Sequence, residues 1–137
     1  VKSLVVILGM STALAGAATP AEVVAATLVL EAGGEGRRGM EAVREVIVNR
    51  AIAKGTHQLA VVRERRQFSC WNGRPLAAGV AAAKRSPAWR EAWAIIHGPR
   101  TNHVGDATHY FAPKLASPAW AAGKPARTIG RHAFLTP

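Results

Sequence analysis

The sequence predicts an α+β fold, mainly helical, with a small β element at its C-terminal end. Three observations carry this. Between Pro20 and His97, apolar residues recur at helical spacing in segments opened by capping residues and closed by glycine. Beyond Pro99 the pattern changes to two short stretches rich in aromatic and apolar residues, as in strands. The chain has 137 residues and no repeat, low-complexity run or interdomain linker, which fits one domain. It is 49% apolar but only 6% aromatic, so its core must be built largely from Ala, Val, Leu and Ile.

Each element follows from local signals. Thr19 as N-cap, Pro20 in the first helical position and Glu22 three residues after the cap form a capping box. Val23, Val24, Leu28, Val29 and Leu30 follow, so this helix is apolar on most sides and is expected to be buried, with Gly33-Gly34 ending it. A second helix is predicted over about 38–54, where Met40, Val43, Val46, Ile47, Arg50 and Ala51 recur, and Gly55 closes it. Thr56 caps a short third helix to about Val62, and Gln67 to Pro75 reads as loop. Leu76 to Lys84 is a small-residue helix, and Ser86-Pro87 restarts a helix through Ile96. Ala107–Phe111 and Thr128–Leu135 read as strands, with one helical turn at Pro118–Ala122 between them.

Lys and Arg total 18 against 8 Asp plus Glu, a net charge of +10. That excess favours a polyanionic partner: nucleic acid, an acidic membrane surface or an anionic cell wall. The N-terminus bears on the choice. Val1-Lys2-Ser3 is a short basic start, Leu4–Leu14 an apolar run, and Ala15-Gly16-Ala17 the small-residue pattern of a signal-peptidase site. Residues 1–17 are therefore expected to be a signal peptide and residues 18–137 the working domain. The run is short for a membrane span of about 20 residues, and the other reading is an uncleaved anchor or a buried first helix. An exported cationic protein meets peptidoglycan, whose stem peptides carry carboxylates, rather than nucleic acid. The basic residues are also spread along the chain instead of interleaving with aromatics in one stripe.

Few residues have the means for chemistry. Among the carboxylates, Glu41 and Glu45 are expected to pair with Arg37, Arg38 and Arg44 on one helix. Glu64 sits among Arg63, Arg65 and Arg66, and Glu91 falls on a solvated face. Glu31 differs, because it ends an apolar helix just before Ala32-Gly33-Gly34. Burial and the helix C-terminus both disfavour its charged form, and the glycines leave room for a substrate, which suits a general acid. Glu35 falls near the start of the next helix, where the dipole favours the anion. The alternative for Glu31 is a pairing with a neighbouring Arg.

The loop residues Gln67, Phe68, Ser69, Trp71 and Asn72 combine flat apolar faces with amide and hydroxyl groups, a mixture that suits sugar rings. Equally, Phe68 and Trp71 staple the loop to the core. Trp89 and Trp93, four apart, read as core. No histidine pair has the helical spacing of a zinc site, so neither metal nor cofactor is expected; His109 and His132 instead face each other across a strand pair. Cys70, the only cysteine, excludes an intramolecular disulfide and leaves a Cys–His nucleophilic pair open.

These residues carry a resemblance. Leu28-Val29-Leu30-Glu31-Ala32-Gly33-Gly34-Glu35-Gly36 resembles the glutamate-bearing motif of the SleB-like cell wall hydrolases. Gly39–Val43 through Ile47-Val48-Asn49-Arg50 is similar to that family's next helix, and Gln67-Phe68-Ser69 to its next motif. Gly105–Pro113 resembles the family's aromatic strand, and Pro118–Ala121 and Ile129–Phe134 complete the order. The resemblance covers about residues 21–135. Where the family motif usually has Gly before the glutamate and Arg two residues after it, this chain has Leu30 and Gly33.

The resemblance implies a lysozyme-like, lytic-transglycosylase-type fold and cleavage between N-acetylmuramic acid and N-acetylglucosamine. The essential glutamate falls on Glu31 and a second acidic position on Glu35, with Phe68, Trp71, His109 and Tyr110 lining the cleft and Ser69 and Asn72 binding polar groups. The partner implied is peptidoglycan, acted on by a monomer in the periplasm or outside the cell. A hydrolase would need a second carboxylate, for which Glu35 and Asp106 are the candidates. Two rival functions remain: a peptidoglycan amidase or peptidase, and a cationic module that binds cell wall or nucleic acid.

Overall fold

The computed structural model describes residues 17–137. The segment expected to be a signal peptide, residues 1–17, lies outside the described residues except for Ala17. Among the described residues no helix is long and apolar enough to cross a membrane.

The fold is α+β and mainly helical. Five helices come first: α1 (Pro20–Ala32), α2 (Gly36–Lys54), α3 (Gln58–Arg63), α4 (Leu76–Lys84) and α5 (Trp89–His97). A three-stranded sheet follows, made of β1 (His109–Phe111), β2 (Arg127–Ile129) and β3 (His132–Leu135). Single 3-10 turns sit at Gly33–Glu35, Ser69–Trp71 and Ala119–Ala121.

Helix α1 is the axle. It packs against α2, α3, α4 and α5, which is why it is apolar on nearly every side: Val23, Val24, Ala25, Ala26, Leu28 and Val29 are all buried. Its start is set by the capping box, with Glu22 N–H donating to Thr19 Oγ1 at 3.2 Å and Thr19 N–H to Glu22 Oε1 at 3.0 Å. Its end is not a left-handed glycine cap. Gly33 stays right-handed at φ −57°, and the chain tightens into the 3-10 turn that leads to α2. Helix α2 does stop on a left-handed glycine, Gly55 at φ 61°.

The small sheet has strand order β1-β3-β2, all antiparallel, with Tyr110 opposite Phe134 and Thr128 opposite Ala133. Residues 128–135 do not form one strand as predicted: Gly130, at φ 57°, turns the chain, and the stretch becomes the β2–β3 hairpin. The first strand begins at His109 rather than Ala107. His109 pairs with Leu135 and His132 with Ile129, so the two histidines do not face each other. Helix α3 is capped by His57, whose Nδ1 accepts from Ala60 N–H at 3.2 Å, not by Thr56.

Three side chains of α2 lock the sheet to the helices. Asn49 Nδ2 donates to the carbonyls of Gly105 and Ala107, both at 2.9 Å. Arg50, only 7% exposed, donates to Thr108 O and to Gln67 Oε1. Glu45 does not pair with Arg44; at 2% exposure it accepts from Thr101 Oγ1 at 2.8 Å and Val104 N–H at 3.0 Å. Arg44 instead caps the C-terminal carbonyls of α5, donating to Ile95 O and Gly98 O. Trp89 and Trp93 stack at 5.6 Å, but Trp93 is an exposed residue rather than core.

Candidate active site

Glu31 occupies the last turn of α1 and is half-buried. Its Oε1 accepts from Cys70 N–H at 3.0 Å and its Oε2 from Tyr110 Oη–H at 2.7 Å. Among the described residues it has no cationic partner, so the pairing with a neighbouring Arg does not form.

The two donors are held by different parts of the fold. Cys70 lies in the 3-10 turn Ser69–Trp71, and the neighbours on either side fix that turn. Phe68 is 1% exposed and forms part of the core. Trp71 Nε1–H donates to Thr27 Oγ1 at 3.0 Å, and Thr27 Oγ1–H in turn donates to Val23 O at 2.8 Å inside α1. The indole lies against Gly79 of α4, where a Cβ would come within 2.3 Å of the ring. The stapling reading of Phe68 and Trp71 thus describes their contacts. Tyr110, in the middle of β1, stacks on Phe134 at 5.4 Å and meets the edge of His132 at 5.2 Å. Burial first, and the Glu31 charge beside it second, hold its phenol well above the ordinary range, so at neutral pH it is a hydrogen-bond donor.

Glu35 sits four residues on, directly before α2, with a side chain 5% exposed. Its Oε1 accepts from Arg131 N–H at 2.8 Å, its Oε2 meets His132 Nδ1 at 2.7 Å, and Arg131 Nε lies 3.6 Å away. Glycines close around it. A Cβ on Gly39 would lie 2.6 Å from Glu35 Cβ, and one on Gly130 would lie 3.1 Å from Glu35 Cδ. Glu35 therefore clamps the β2–β3 turn onto the start of α2, and through His132 it supports the ring of Tyr110.

The remaining carboxylates are mostly claimed as well. Glu22 serves the α1 cap and pairs with Lys84. Glu41 pairs with Arg37 at 2.7 Å and His103 at 3.1 Å. Glu64 pairs with Lys54 at 2.6 Å rather than with the arginines beside it. Asp106 lies in the turn after Val104, where Thr136 Oγ1–H donates to its carbonyl at 3.1 Å. Glu91 is in the first turn of α5.

The predicted sugar-binding residues divide. Gln67, Ser69 and Asn72 are exposed along the loop that carries Cys70. His109 and Tyr110 are neighbours on a strand and so point to opposite faces: Tyr110 to Glu31, His109 to Thr108 Oγ1 at 2.9 Å and to Trp120 at 5.1 Å. Burial first, then Arg50 and Lys54, lower the pKa of His109. No histidine bonds to Cys70, and burial, followed by the Glu31 charge, pushes its thiol far up, which removes it as a thiolate nucleophile. Among the described residues no three of His, Cys, Asp and Glu gather as metal ligands.

Sequence reasoning missed the Cys70 amide, the support of Tyr110 by His132, and the sheet-locking role of Asn49 and Arg50. The one available signal was the position of Asn49-Arg50 at the end of an amphipathic helix, where Arg50 falls on the buried face.

The domain is mainly helical α+β, with a glutamate at a helix end bonded to a tyrosine of the small sheet. The Cell Wall Hydrolase family matches residues 34–135, and the chain belongs to that family. The match begins after Glu31, so the place of Glu31 rests on geometry. The fold is similar to the catalytic domain of the germination-specific lytic transglycosylase SleB from Bacillus anthracis, with a TM-score of 0.67 and 25% identity over 85% of this chain and 93% of that one. A search of curated proteins gave no significant match.

Proposed function

We propose that this enzyme cleaves the glycan strands of peptidoglycan between N-acetylmuramic acid and N-acetylglucosamine, with Glu31 as a single acid and base. The observation that carries this reading is that Glu31 has two neutral donors and, among the described residues, no ionic partner, while Glu35 is enclosed by Arg131 and His132. Glu31 protonates the leaving glycosidic oxygen. As carboxylate it then takes the proton of the muramic acid C6 hydroxyl, whose oxygen attacks C1 of the same sugar. A 1,6-anhydro end forms and no water is consumed. Cys70 N–H and Tyr110 Oη–H each bind one oxygen of the carboxyl group, which orients it through both steps. A two-carboxylate hydrolysis through Glu35 is disfavoured because both of its carboxylate oxygens are engaged, by Arg131 N–H and His132.

The same reading makes residues 18–137 the working domain of an exported monomer, acting in the periplasm or outside the cell. Muropeptide mass spectrometry after digestion of purified sacculi tests it. Products one water lighter than reducing muropeptides, absent with Glu31→Gln, are expected. Reducing ends would mean hydrolysis, and freed stem peptides on intact glycan would mean an amidase.

A further inference from the structure

The loop that presents Cys70 to Glu31 also builds a second feature. Residues 63–73 enclose a groove of about 450 Å³ whose lining includes Arg63, Arg65, Arg66, Phe68, Trp71 and Asn72. Arg63, Arg65, Arg66 and nearby Arg74 have no acid within ion-pair distance among the described residues. The one acid in the run, Glu64, also lines the groove, but its carboxylate is paired with Lys54 at 2.6 Å. Arg66 holds φ 64°, the only non-glycine among the described residues in the left-handed region. Such a backbone persists where surrounding structure imposes it, and it clusters at ligand-binding places. Guanidinium groups not paired with carboxylates, beside the half-buried Trp71, form a site for carboxylates.

We propose that this groove binds the stem-peptide carboxylates of the strand being cut. The proposal rests on the glycan-cleavage reading, which puts a muramic acid at Glu31. Each muramic acid carries its peptide on the lactyl group, so the peptide leaves the catalytic centre from the sugar being cut. Cys70 touches Glu31, and Arg66 lies four residues before it, at most about 14 Å along an extended chain. An extended peptide of a few residues spans that distance, which brings its carboxylates to the arginines.

Co-sedimentation of the Glu31→Gln protein with sacculi tests this without needing cleavage. Two probes are used: native sacculi, and sacculi whose stem-peptide carboxylates have been converted to neutral amides after acetylation of free amines. The parent is expected to bind the amidated sacculi about tenfold more weakly. Arg65→Ala with Arg66→Gly, where glycine accepts the left-handed backbone, is expected to bind native sacculi that weakly and to lose nothing further on amidated ones. Arg85→Ala with Arg90→Ala removes the same charge at the α4–α5 junction and is expected to keep full preference for native sacculi. Equal loss by the two double variants would overturn the proposal in favour of diffuse charge attraction, and so would parental binding indifferent to amidation. Failure of the cleavage reading would show separately, as no anhydro product from the parent enzyme carrying Glu31.

Discussion

Glu31 and Glu35 are four residues apart and live in opposite surroundings. Glu31 ends the buried axle of the helical half and meets an amide and a phenol, both neutral. Glu35 opens α2 and meets an amide, an imidazole and a guanidinium, under two glycines that leave no space beside it. Helix position alone assigns them opposite chemistry through the dipole, but the tertiary partners matter more. A carboxylate whose lone pairs hold a turn together stabilises the fold, and one held by two neutral donors can still exchange a proton with a substrate. The difference lies in which neighbours have claimed the group rather than in how far it is from solvent.

The largest effect expected is that of Glu31→Gln, which should lower glycan cleavage by about 10³-fold with little change in melting temperature, measured by muropeptide release and calorimetry. Glu35→Gln should do the reverse in kind. Loss of a buried charged acceptor costs about 2 kcal/mol, a fall in Tm of about 8 °C, with a smaller loss of activity through Tyr110. If Glu35→Gln abolished cleavage and left Tm intact, the division between the two glutamates would collapse, and a two-carboxylate mechanism would return.

Tyr110→Phe sharpens the comparison by removing one of the donors to Glu31. A drop of about tenfold in kcat is expected, with KM and Tm nearly unchanged because the ring still stacks on Phe134. The smallest effect concerns the far end of the same helix. Lys84, and then the Thr19 backbone N–H, hold the Glu22 carboxyl at about 2, against an ordinary value of 4.5. A depressed carboxyl contributes its stability in full above the unfolded value and loses it as pH falls through the folded one. The Tm gap between parent and Glu22→Gln, about 4 °C at neutral pH, should therefore narrow below pH 4.5 and close near pH 2.

Much of the helical half was legible because its signals are local. The capping box at Thr19–Glu22, the glycine stop at Gly55 and the small-residue run of α4 each act within a turn or two of chain. So does the placement of Glu31 at the end of an apolar helix, which is enough to single it out among the acids. The β element was less legible. Its strands are only three or four residues long, and the turn at Gly130 that divides residues 128–135 is bonded to Glu35, 96 residues away.

The amino-acid sequence by itself determined the order of elements, the buried axle and the candidate glutamate, since each depends on periodicity and capping among near neighbours. Only the tertiary structure decided which groups each carboxylate bonds to. The donors to Glu31 lie 39 and 79 residues away, and those to Glu35 lie 96 and 97 away. Contacts at such separations are set by how the sheet packs onto the helices, through Asn49 and Arg50, and no local pattern encodes them.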